Sequence, residues 1–124
     1  ISTLLLMRNK INTLGDRIFE NIHGLKELKL NENRLANLSF LRTKMVSNIT
    51  LLDLSQNSLT AVISEWVEYV LNLQVLKLHN NKIKILESGL FHNMTALATL
   101  TLNSNEIKII SRYLFAGLSK LKYL

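Results

Sequence analysis

The sequence contains no cysteine and no proline, and only four of its 124 residues are glycine. Without cysteine there is no disulfide framework and no thiolate zinc site within this segment. That absence does not by itself fix the redox compartment. With no proline and so little glycine, there is no linker-like or low-complexity stretch. No apolar run approaches the roughly 20 residues that a membrane-crossing helix needs, so no membrane contact by this segment is expected. The chain opens on Ile1 rather than methionine and shows no signal peptide, and it reads as a piece of something longer.

Charge is also thin on one side. The chain has 15 lysines and arginines against 9 acids, giving a formal charge of +6. The bases are scattered among the acids, whereas a nucleic-acid binder concentrates them and interleaves aromatics. The expectation is a solvated surface and no nucleic-acid partner. Chemistry-bearing motifs are missing as well. His23, His79 and His92 lack metal-ligand spacing and fall on different faces. There is no glycine-rich phosphate loop and no GxSxG elbow. No enzyme activity, metal or cofactor is expected.

What the sequence does contain is a period. It divides into five blocks of 24 residues, starting at Ile1, Leu25, Ile49, Leu73 and Leu97, with a sixth beginning at Leu121. In each block positions 1, 4, 6, 11 and 14 are aliphatic and position 9 is asparagine. The second block, for example, gives Leu25, Leu28, Leu30, Asn33, Leu35 and Leu38. Positions 4 and 6 alternate with 3, 5 and 7, the period of a half-buried strand. One strand per block, always in the same direction, makes a parallel sheet. No single block can close a core, but stacked neighbours can. The asparagine column, Asn9, Asn33, Asn57, Asn81 and Asn105, falls where the chain must bend after each strand. An amide side chain offers donors and an acceptor to backbone groups that would otherwise be buried unpaired. Its expected role is therefore structural.

The reverse side is less regular. Position 19 reads Phe19, Thr43, Val67, Phe91 and Phe115, and position 22 reads Ile22, Val46, Val70, Met94 and Leu118. Phe40 or Met45 is expected to fill the gap at Thr43. Ile63, Trp66, Val67 and Val70 fall at helical spacing, which predicts a short helix there.

The repeated pattern LxxLxLxxNxLxxL resembles the leucine-rich repeat family over the whole chain. The resemblance implies an α/β solenoid, a right-handed superhelix in a horseshoe arc. Its parallel sheet would line the concave face, opposite an irregular, short-helical convex side. The 24-residue unit ending in Leu114, Phe115, Ala116, Gly117 and Leu118 is similar to the typical class of animal extracellular repeats. Gly15, Ser39, Ile63, Glu87 and Ser111 depart from that class, which often has proline there. In that class cysteine-bearing caps cover the ends. Here Ile1 and Leu124 stand at or beside core positions, so residues 1–124 read as one repeat segment lacking both caps.

The resemblance extends to Toll and Toll-like receptor ectodomains. It implies an extracellular module that binds a protein or microbial ligand on the concave face or a flank, with a receptor dimer as a further expectation. The same repeats serve adhesion and matrix proteins, the ectodomains of leucine-rich-repeat G-protein-coupled receptors, and intracellular scaffolds, and these stay open here. The concave candidates are Leu5, Met7, Glu27, Lys29, Asn31, Leu51, Asp53, Ser55, Val75, Lys77, His79 and Thr101. Among them, Leu5 with Met7 and Leu51 with Val75 are apolar where solvent is expected. Lys29, Asp53 and Lys77 form a plus-minus-plus row. Past the asparagines, Lys10, Arg34, Lys82, Lys84 and Lys108 line one flank as a basic stripe. Sequons at Asn37, Asn48 and Asn93 avoid the asparagine column and are the candidate glycosylation sites.

Overall fold

The computed structural model describes residues 1–124. Five three-residue strands form one parallel sheet in chain order: β1 (Thr3–Leu5), β2 (Glu27–Lys29), β3 (Leu51–Asp53), β5 (Val75–Lys77) and β7 (Thr99–Thr101). The register runs Thr3, Glu27, Leu51, Val75, Thr99, so each strand is displaced from its neighbour by one 24-residue step. Tyr123 continues the column through a bridge to Thr99. Period-two alternation sends positions 4 and 6 inward. Leu28, Leu30, Leu52, Leu54, Leu76, Leu78 and Leu100 have no exposed surface. The sequence expectation of a leucine-rich-repeat solenoid is met.

Each strand ends in the same bend. Arg8, Glu32, Gln56, Asn80 and Ser104, all at block position 8, have φ between 54° and 58°. The left-handed region costs a non-glycine residue roughly 1–2 kcal/mol. The bend is held from both sides. The position-8 amide donates to the next repeat, as from Gln56 N to the His79 carbonyl at 3.0 Å, and the following asparagine ties down the carbonyls.

Asn57 illustrates that column. Its Nδ2 donates to the carbonyls of Leu54 and Ser55 in its own repeat, at 3.1 and 3.2 Å, and of Leu30 in the preceding one, at 3.0 Å. Its Oδ1 accepts from Leu35 N at 2.9 Å. Asn33, Asn81 and Asn105 repeat this arrangement. Asn9 bonds only within its own repeat, to Leu6 and Met7, and is exposed.

The convex side is a series of tight turns. In every repeat the amide at position 22 donates to the carbonyl at position 19, as in Ile22 to Phe19 at 2.9 Å and Met94 to Phe91 at 3.0 Å. Phe19 and Phe91 are buried. At Thr43 the gap is filled as expected: Phe40 is buried and packs its ring on Phe19, centroids 6.0 Å apart and tilted 52°. The expected helix is α1 (Ser64–Val67), with Trp66 and Val67 buried and Ile63 at its N-cap, 38% exposed. A second, two-stranded parallel sheet was not expected. It joins β4 (Ala61–Val62) to β6 (Ile85–Leu86) on the flank just past the asparagines.

Candidate recognition face

The main sheet's register fixes which outward side chains are neighbours. Leu51 lies directly beside Val75, and both are half-buried. Leu5 is 55% exposed, and Met7, two residues on, is half-buried. These four aliphatic side chains stand on the sheet face that carries no packing duty, with Glu27, Lys29 and Lys77 half-buried among them.

The plus-minus-plus row is arranged differently from the expectation. Lys29, Asp53 and Lys77 are in register, but the three ion pairs of the molecule are Arg8–Glu32, Arg42–Glu65 and Lys84–Glu106. Asp53 is buried and turns along its own strand. Its Oδ1 accepts from the Ser55 hydroxyl at 2.6 Å and from Ser55 N at 3.0 Å. Asp53 and Ser55 were expected to be free outward groups, and both are instead buried at 8% and 3% exposure. The charged side chains of the face that keep substantial exposure are Glu27, Lys29 and Lys77.

Further along, His79 Nδ1 lies 2.7 Å from the Thr101 hydroxyl, which accepts from Leu78 N at 3.2 Å. Asn31 reaches Glu32 Oε1 at 3.5 Å, and Glu32 takes the Arg8 guanidinium at 3.2 Å. The Asn31 Oδ1 is buried with no partner. Arg8 and Glu32 thus bracket the first two repeats at the rim. Sequence reasoning passed over them because position 8 shows no shared residue type.

On the flank, Lys10, Arg34, Lys82, Lys84 and Lys108 are all exposed. Glu106 reaches Lys84 at 3.6 Å and interrupts the stripe's charge. The sequon residues Asn37, Asn48 and Asn93 are exposed too. Asn37 Oδ1 accepts from Ser39 N at 2.8 Å, and the Ser39 hydroxyl donates to Asp16 at 2.8 Å. His23 and His92 are exposed and His79 half-buried. No group of three His, Cys, Asp or Glu side chains is placed to hold a metal ion. No helix is long and apolar enough to cross a membrane.

The structure is similar to that of TLR13 in a complex with ssRNA13, at 32% identity and a TM-score of 0.83 over 96% of this chain and 16% of that one. It is similar to an internalin of Listeria monocytogenes, at 26% identity and a TM-score of 0.79 over 99% of this chain and 34% of that one. A leucine-rich repeat protein of Leptospira interrogans matches at 29% identity and a TM-score of 0.79, over 98% of this chain and 30% of that one. The chain therefore spans about a third or less of the proteins it resembles. No curated protein matches it by sequence. The sequence pattern of the leucine-rich repeat matches residues 47–107 and 71–124. Pattern, register and asparagine column agree, and the chain belongs to the leucine-rich repeat family.

Proposed function

We propose that the concave sheet binds a protein or microbial ligand, and that the chain is part of the ectodomain of a Toll-like-type receptor, innate immune or developmental, that signals by dimerisation. The observation that carries this reading is the aliphatic set Leu5, Met7, Leu51 and Val75. It stands on an otherwise polar sheet face with only three outward charges. Apolar side chains gathered where solvent is expected mark partner surfaces. The 32% identity to TLR13 over almost the whole chain supports the receptor assignment. Exposure of Asn37, Asn48 and Asn93 supports an extracellular, glycosylated protein.

TLR13 was solved with ssRNA13. A protein ligand is favoured here because single-stranded nucleic acid is held by aromatic stacking platforms in a basic groove. On the concave columns only His79 and, one step beyond the five strands, Tyr123 could stack on a base, which falls short of a continuous platform, and Glu27 stands beside Lys29.

The test is to read the transcript 3′ of the codon for Leu124. A cysteine-rich cap, one membrane span and a cytoplasmic α/β signalling domain are expected. Seven spans, or a stop codon directly after a cap, would overturn the receptor assignment in favour of a hormone-type receptor or a matrix binder. Anisotropy titration with labelled single-stranded RNA at physiological salt is expected to show no saturable binding. Intact mass of the natively expressed protein is expected to fall on glycosidase treatment, and an unchanged mass would remove the secretory assignment.

A further inference from the structure

Away from the concave face, the flank behind the asparagine column contains an unfinished sheet. Repeats three and four are sewn together there by Lys82 N to Leu59 O, Lys84 N to Thr60 O and Glu87 N to Val62 O. Repeats four and five begin the same way, with Glu106 N donating to Ile83 O at 2.9 Å. The seam then stops. No backbone hydrogen bond joins residues 84–88 to residues 107–111. Strand β6 is thus paired with β4 on one side and with nothing on the other. Between β6 and the 107–111 segment lies a cleft of about 840 Å³. The opposite edge, at β4, has a cleft of only about 340 Å³, lined by Arg42 and Glu65, which pair with each other at 2.7 Å, and by Trp66.

The wide cleft has three further properties. Its walls present Ile85, 63% exposed, and Ile109, 80% exposed. Its rim is basic on balance: Lys84 is shared with Glu106, whereas Lys108 has no carboxylate within 4.0 Å. Ser111, which also lines it, has a buried hydroxyl with no hydrogen-bond partner.

We propose that this cleft receives an extended segment of a partner protein, alternating acidic and aliphatic residues, as an added strand on β6. An unpaired strand edge is a template for another chain. Strand addition draws affinity from main-chain hydrogen bonds and specificity from pockets for alternate side chains. Ile85 and Ile109 supply contacts for the aliphatic positions, and Lys108, which has no carboxylate within 4.0 Å, selects acidic ones. The site is separate from the concave face, so its existence does not depend on the receptor assignment.

The test screens the labelled chain against arrayed acetylated hexapeptides alternating Asp or Glu with Val, Ile or Leu. A matched array with Lys replacing the acids serves as control. The strongest acidic peptide is then followed by amide chemical-shift mapping. Retention of acidic over basic peptides is expected, with shifts confined to residues 84–88 and 107–111. Ile109→Asp and Lys108→Glu, both on exposed side chains, are each expected to weaken binding about tenfold while leaving the melting temperature unchanged. Leu5→Asp on the concave face is expected to change nothing here. Equal retention of both arrays, shifts centred on Leu51 and Val75, or undiminished binding of a peptide N-methylated at alternate amides would each overturn the proposal.

Discussion

The Ser55 hydroxyl donates to the Asp53 carboxylate at 2.6 Å, so the only acid in the middle of the lysine row is engaged along its own strand rather than across the sheet. Hydrogen bonds to charged groups contribute about 1.5–3 kcal/mol. Ser55→Ala is therefore expected to lower unfolding free energy by about 2 kcal/mol in urea titrations. Lys29→Met and Lys77→Met keep the aliphatic stems and are expected to stay within about 0.5 kcal/mol of the parent. Lysine replacements that cost more than Ser55→Ala would show that the row acts as a cross-strand charge ladder.

Asn57 and Asn9 occupy the same column position with different duties. Asn57 makes three donor contacts and one acceptor contact, two of them with the preceding repeat, and is buried. Asn57→Ala strands several buried backbone groups and is expected to cost about 3 kcal/mol or more. Asn9 bonds only locally and is exposed, so Asn9→Ala is expected to cost less than about 1 kcal/mol. Equal costs would mean that the column stabilises each bend locally and not the junction between repeats.

The strained bend is adjustable. Gln56 is exposed and sits at φ 54°. Gln56→Gly removes the side-chain penalty of about 1–2 kcal/mol at a backbone-entropy cost of about 0.5–1, a net gain of up to about 1.5 kcal/mol. Gln56→Val, branched at Cβ, is expected to lose about 1 kcal/mol or more. Thermal denaturation of the two variants against the parent reads the sign directly.

Gly117 combines two constraints that Gly24 does not share. Its φ is +87°, and a Cβ there would lie 2.4 Å from the His92 carbonyl oxygen in the same turn region of the preceding repeat. Gly24, at φ +72°, faces open space. Gly24→Ala should cost about 1 kcal/mol, from backbone strain alone, and Gly117→Ala about 3 kcal/mol or more, because backbone must also move. Similar losses in both would show that the turn at residues 92 and 117 yields without resistance.

Much of this architecture was legible because the period repeats without insertion. The strand positions, the inward leucines and the asparagine column follow from spacing alone. Phe40 and Met45 were both legible as candidates for the gap at Thr43, but spacing could not choose between them, and Phe40 is the one fully buried. α1 was legible from Ile63, Trp66, Val67 and Val70, although Ile63 caps the helix instead of packing under it. The left-handed bend was not legible, since Arg8, Glu32, Gln56, Asn80 and Ser104 share no property that favours positive φ. Burial of Asp53 and Ser55 was hidden because strict alternation assigns both to the outward face, where their mutual bond satisfies the polar atoms. The β4–β6 sheet is too short for any period to announce it, and the cleft beside it depends on a pairing that fails to form.

The asparagine column also gives the molecule a direction along the chain. Asn33 Nδ2 donates to Leu6 O, 27 residues earlier, and Asn33 Oδ1 accepts from Ile11 N. Each bend is thus completed by the asparagine of the repeat that follows it, never by the one before. The dependence runs one way along the chain: removing a repeat from the C-terminal side takes away the asparagine that ties down the last remaining bend and leaves the earlier junctions intact.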